Sequence, residues 1–190
     1  MSKEELIKQT AKELFFGKGY LHATTQEIAD AAGVNRALIN YYFRSRDLLF
    51  QTVYLEAVEN LRSQLDEVIY GDIPFKEKVS LFIDVHMKEL QRYPYRESFL
   101  ITEICSKNFV LEDKKKSAAL SHFLKEVVAE MDKGTIRKYD PIQFVFNLTS
   151  LISFPVIMMP LYKKLLDVPK EKYKQLLSER KQIILDQIFN

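Results

Sequence analysis

Between Ala31 and Arg46 the chain carries three arginines, Arg36, Arg44 and Arg46, and no carboxylate. Asn35, Asn40, Tyr41 and Tyr42 stand among them. A local basic face of this kind is what phosphate contacts require, whatever the charge of the whole molecule. The whole is nearly neutral: the formal net charge is +2, and residues 1–50 hold seven basic and six acidic side chains. Other chemistry is poorly provided for. His22, His86 and His122 lie far apart and share no metal-ligand spacing. The lone cysteine, Cys105, has no histidine neighbourhood, and there is no nucleophile elbow, nucleotide motif or glycine-rich phosphate loop. These gaps argue against an enzyme and predict no metal and no cofactor.

The elements that position the basic face follow from local signals. A first helix is predicted from Lys3 to Gly17, with Ile7, Ala11, Leu14 and Phe15 on one side. Thr24 and Glu27 form a capping-box pattern that starts a second helix, with Ile28, Ala29 and Ala32 inward. Gly33 supplies the left-handed residue at its end. Asn35 caps a third helix that buries Leu38, Ile39 and Phe43. Ser45 caps a long fourth helix to about Tyr70, with Leu48, Leu49, Val53, Ala57, Leu61 and Leu65 along its buried side. Small Ala29, turn residue Gly33 and anchoring Ile39 have the spacing of a helix-turn-helix over residues 24–43. That arrangement puts one helix into the major groove of DNA.

Beyond Gly71–Pro74, further helices are predicted at 75–92, 95–108 and 115–133. Another opens at Asp140-Pro141, and a last one at Pro169 with Tyr173, Leu177, Ile184 and Ile188 on one stripe. With 47% hydrophobic and 28% charged residues and few glycines, the chain reads as all-α, with about nine helices. The division expected is a DNA-binding domain over 1–60 and a helical body over 61–190, to which the resemblance given below assigns ligand binding and dimerisation. The polar N-terminus excludes a signal peptide, and the single cysteine suits a cytoplasmic protein. Pro141–Tyr162 is 22 residues without a charge. Its two internal prolines and several polar side chains favour a buried helix over a membrane span.

The segments Ala11-Lys12-Glu13-Leu14-Phe15-Phe16, Gly19-Tyr20, Thr24-Thr25, Ile28-Ala29, Ala32-Gly33-Val34, Tyr41-Tyr42-Phe43 and Arg44-x-Arg46-x-Leu48-Leu49 together resemble the TetR family of bacterial transcriptional repressors. The resemblance is specific over the first sixty residues. It implies that 36–43 is the recognition helix, with Arg36 and Ala37 at its start and Asn40 one turn on. Asn40 departs from the aromatic or histidine common in relatives. The resemblance makes Tyr41 a phosphate ligand and Thr25 and Arg46 phosphate clamps, and adds Gln26 and Asn35 to the DNA-binding set. Tyr42 either joins them or packs under the helix.

For the body, the resemblance implies a homodimer through about 141–188 and a pocket for a small apolar or aromatic inducer. The stripe on 170–188 agrees with a partner, or else closes its own domain. Candidate pocket residues are Phe82, His86, Phe99, Cys105, Phe123, Phe144, Asn147, Leu151 and Met158, with His86 or Asn147 as orienting polar groups. The function expected is a ligand-responsive repressor that binds a palindromic operator as a dimer. The alternative is a helical interaction or carrier protein with a vestigial helix-turn-helix.

Overall fold

The computed structural model describes residues 1–20, 22–105 and 118–189, with the backbone alone for 103–105. Ten α-helices are found among them: α1 Lys3–Lys12, α2 Thr25–Ala32, α3 Arg36–Phe43, α4 Arg46–Tyr70, α5 Phe75–Arg92, α6 Arg96–Cys105, α7 Ala118–Lys133, α8 Pro141–Ile157, α9 Met159–Leu165 and α10 Lys170–Ile188. Extended pairing among the described residues is limited to one antiparallel bridge, Ile136 with Phe189. The helices fall into two compact units. One comprises Met1–Arg62 with α6 and the residues from Arg92 that lead into it. The other takes Ser63–Gln91 and the later helices. The N-terminal unit is therefore discontinuous in sequence.

In the first unit, α1 is capped by the Ser2 hydroxyl, which accepts from the Glu5 amide at 3.1 Å. The predicted single helix to Gly17 instead ends in a π-helical turn, Glu13–Gly17. The wider turn buries Leu14, Phe15 and Phe16 together, three consecutive apolar residues that one α-helical face could not accommodate. Phe15 and Phe16 meet Phe50 of α4 at 5.3 and 5.8 Å between ring centroids, in edge-on geometry. Phe99 of α6 completes the group, 5.7 Å from Phe50. The loop before α6 is tied to the same core, because the Tyr95 amide donates to the Phe16 carbonyl at 3.0 Å. Gly19, at φ +77°, lies so close under the Tyr95 ring that a Cβ would sit 3.0 Å from it. On α4 the buried stripe is Leu49, Phe50, Val53, Tyr54 and Ala57, whereas Leu48 is exposed, contrary to the expectation above.

In the second unit the core gathers Phe75, Phe82 and Ile83 of α5, Phe123 and Val127 of α7, Phe144, Leu148 and Ile152 of α8, and Ile184, Leu185 and Ile188 of α10. Phe123 stacks on Phe75 at 5.7 Å and on Phe82 at 5.9 Å. Lys78 is buried with them, its ammonium donating to the Ile69 carbonyl at 2.7 Å and to Glu126 at 2.6 Å. Pro155 interrupts α8 from within. It lacks the N–H that the Leu151 carbonyl would have received, and Arg180 of α10 donates to that carbonyl instead, at 3.0 Å. Tyr173 donates its hydroxyl to the Pro155 carbonyl. Among the described residues no single helix is long and apolar enough to cross a membrane. The pair α8 and α9 reaches that length only with a 65° bend.

Candidate nucleic-acid interface

The geometry of the helix-turn-helix is set by hydrogen bonds between near neighbours in sequence. Thr24 Oγ1 accepts from the Glu27 amide at 3.2 Å. Glu27 Oε2 accepts in return from the Thr24 amide at 2.7 Å and from its hydroxyl at 2.8 Å. The Thr24 backbone bond is the larger cause, with the hydroxyl second, that holds the Glu27 carboxyl below its ordinary range. At the other end of α2, Gly33 takes φ +63°. The Val34 amide reaches back to Ala29 O at 3.0 Å and the Gly33 amide to Asp30 O at 3.2 Å, closing the helix with a left-handed cap. The next residue but one, Asn35, caps α3 by accepting from the Ala37 amide at 2.8 Å. The turn thus has little freedom, and α3 leaves it in a fixed direction.

Ile39 and Phe43 are the buried face of α3. Arg36, Ala37, Asn40 and Tyr41 are exposed and, at spacings of one, four and five, share the opposite face. Tyr41 is 78% exposed and its ring meets Tyr42 edge-on at 5.1 Å. Tyr42 is itself 38% exposed, lying between Tyr41 and Phe43, so it does not pack fully under the helix. Arg44 ends α3 with φ +62° and is exposed. It lies in the basic face but outside the expected contact set.

Thr25 is half-buried and Gln26 exposed in the first turn of α2, with the Gln26 amide donating to Asp30 at 2.8 Å. Arg46, expected to clamp a phosphate, also packs on the core of its unit. Its guanidinium lies 5.0 Å from the Phe15 ring centroid and 5.4 Å from that of Phe50, and it pairs with Asp47 at 3.0 Å. A planar cation spread over two rings is packed into the unit as much as it is offered to solvent.

The candidate pocket residues are divided between the two units. Phe99 belongs to the first unit's aromatic core and is 1% exposed. Phe82, Phe123 and Phe144 are buried in the second unit's core, stacked on or edged against one another. His86 is half-buried, 5.8 Å from the Phe82 ring. Leu151 and Met158 are half-buried near the α8–α9 junction, while Asn147 is exposed on α8. The side chain of Cys105 lies outside the described residues. The second unit does hold an open cleft of about 400 Å³, at the start of α5 and the end of α7. None of the nine lines it.

A short three-helix module with a capped turn and an outward polar α3 defines a helix-turn-helix DNA-binding protein. Residues 7–53 match the family model described as bacterial regulatory proteins, tetR family. Over 187 residues the chain is 26% identical to the "Probable HTH-type transcriptional regulator YttP" of Bacillus subtilis (strain 168), covering 91% of this chain and 86% of that one. A TetR family transcription regulator from Marinobacter aquaeolei VT8 has a similar fold, with TM-score 0.64 and 13% identity over 99% of this chain and 96% of that one. So has the TetR family transcriptional regulator PfmR from Thermus thermophilus, with TM-score 0.63 and 18% identity over 97% and 96%. Residues 7–53 thus carry the DNA-binding domain of the tetR family of bacterial regulatory proteins, and the chain is a DNA-binding regulator with a TetR-like fold, not an enzyme.

Proposed function

We propose that the chain is a repressor that binds a palindromic operator as a homodimer in the cytoplasm and is released by a small apolar or aromatic inducer. The observation that carries the DNA reading is the exposed face of α3, with Arg36, Ala37, Asn40 and Tyr41 aligned and no carboxylate on the helix. Arg36 at the helix start is positioned to read guanine bidentately, and Asn40 one turn later to read adenine. Tyr41 and the first turn of α2, with Thr25 and Gln26, serve the phosphates. Asn35 has its Oδ1 engaged in the cap and contributes chiefly by fixing α3. Arg46 supports the set from its seat on Phe15 and Phe50.

Dimerisation is supported by apolar side chains that the single chain leaves uncovered on two of its last helices. Ile142, Phe146 and Phe154 of α8, and Leu161 and Leu165 of α9, are each at least half exposed. Patches of this kind mark interaction surfaces. Two copies present two α3 helices, as a palindrome requires. An inducer acts if it favours a spacing of those helices that the operator does not match. The test is selection of bound duplexes from a random pool, followed by anisotropy titration of wild type and Arg36→Ala. The expected loss is about 1–3 kcal/mol, with relaxed choice at one base pair per half-site. An Arg36→Ala protein with full affinity and full specificity overturns the assignment.

A further inference from the structure

We propose that the cleft between the start of α5 and the end of α7 is a binding site for a small aromatic carboxylate. Its volume, about 400 Å³, is in the range of small-molecule sites. Its apolar wall is made by Phe75 and Phe189, whose rings meet edge-on at 6.2 Å. Phe189 is tied in place by its backbone bridge to Ile136. An aromatic body has two ring surfaces to lie against there.

The polar side of the cleft selects an anion. Among the described residues it holds two lysines, Lys76 and Lys133, against one carboxylate, Glu130. Both oxygens of Glu130 are already used: Lys133 donates to Oε1 at 2.6 Å and the Thr135 hydroxyl to Oε2 at 2.6 Å. Lys133 needs only one of its three N–H groups for that bond. Lys76 has no carboxylate in ion-pair distance among the described residues, and its ammonium sits 5.4 Å from the Phe189 ring centroid. A cation held beside an aromatic wall is what an aromatic acid requires: the ring stacks, and the carboxylate reaches the ammonium. A cationic ligand would meet a net positive rim, and a neutral one would leave the lysine unpaired.

None of the residues expected to line an inducer pocket lines this cleft, and the site stands whether or not the chain represses transcription. Phe75 is nevertheless continuous with the core, through its stack on Phe123 and that ring's stack on Phe82. An occupant that shifts Phe75 therefore acts on the packing of α5 against α7.

The experiment titrates the full chain into 2-naphthoate and, separately, into the uncharged 2-naphthamide, following the emission anisotropy of the naphthalene. The absence of tryptophan keeps the protein background low. Saturable binding of one naphthoate per chain is expected, with the amide weaker by about tenfold or more. Phe189→Ala and Lys76→Glu should each weaken naphthoate by a similar factor. Because Phe189 also packs on the core, the exposed Lys76→Glu variant, with an unchanged circular dichroism spectrum, is decisive. No saturable binding of naphthoate, equal binding of acid and amide, or wild-type affinity in Lys76→Glu would each overturn the proposal.

Discussion

Truncating Phe99 to alanine should loosen the DNA-reading unit, although this residue is 56 positions beyond the end of its third helix. The ring is 1% exposed and lies 6.3, 5.9 and 5.7 Å from the rings of Phe15, Phe16 and Phe50. Removing a buried phenyl group costs about 3–5 kcal/mol where the surroundings cannot collapse. Phe15 and Phe16 are held by the π-helical turn and Phe50 by α4, so collapse is restricted and the upper half of that range applies. Domains are stable by about 5–15 kcal/mol, so most of the margin of a small unit disappears. Hydrogen exchange read by mass spectrometry on the full chain is the assay. Exchange of the slow amides of α1, α2 and α3 should accelerate by roughly three orders of magnitude, since each factor of ten is about 1.4 kcal/mol. Amides of α7, α8 and α10 should keep their protection. If Phe99 instead served an inducer pocket, as the sequence suggests, α1–α3 would exchange as in the wild type. Unchanged protection there, or equal loss in α7–α10, refutes the reasoning.

Arg46→Ala should lower the thermal stability of the first unit by about 1 kcal/mol through the lost cation–ring contacts. The same variant should leave the salt dependence of DNA binding unchanged, because a lost phosphate contact would reduce the log–log slope by about 0.9. Glu56 sits between Lys8 at 2.6 Å and Lys12 at 3.1 Å. Burial raises its pKa, but hydrogen bonds from Lys8 and then Lys12 more than reverse this, so the folded value is below the ordinary 4.5. A depressed carboxylate stabilises the fold above its unfolded pKa and loses that contribution as pH falls through the folded value. Chemical denaturation of Glu56→Gln should therefore match wild type near pH 2 and show a deficit above pH 4.5. With the carboxylate 37% exposed, that deficit should stay within about 1 kcal/mol. Lys78→Met should destabilise the second unit by about 3 kcal/mol, because Glu126 and the Ile69 carbonyl lose their donor. Lys78→Met combined with Glu126→Leu should recover most of it, measured by urea titration.

What could be read from the sequence is what neighbours a few positions apart decide. The Thr24–Glu27 capping box, the left-handed Gly33, and the Asn35, Ser45 and Asp140 caps each involve residues within three positions, and each is present. Helix limits such as Phe75–Arg92 follow from the same signals. What could not be read is which distant surface a side chain meets. Phe99 has the apolar periodicity of a body helix, yet its neighbours are Phe15, Phe16 and Phe50. Arg46 has the right place in the motif for a phosphate clamp. Two phenylalanines lie under its guanidinium, and one of them comes from the π-turn that no propensity announces.

The last helices show how periodicity marks an apolar face without saying what covers it. Tyr173, Leu177, Ile184 and Ile188 form the stripe on α10 that suggests a partner; Tyr173, Ile184 and Ile188 are buried within their own chain and Leu177 is half-buried. The same helix leaves Leu176 and Ile183 partly uncovered. On α8, Phe144, Leu148, Ile152 and Val156 face the core, while Ile142, Phe146 and Phe154 lie outside it. A helix apolar on one face needs only its own domain; one apolar on two faces has a second surface to satisfy. Half of the uncharged run from Pro141 to Tyr162 is taken up by the core of the single chain, and the other half is the surface that the proposed second copy would cover. The case for a homodimer therefore rests on the outer side of α8 and α9 rather than on the α10 stripe from which it first arose.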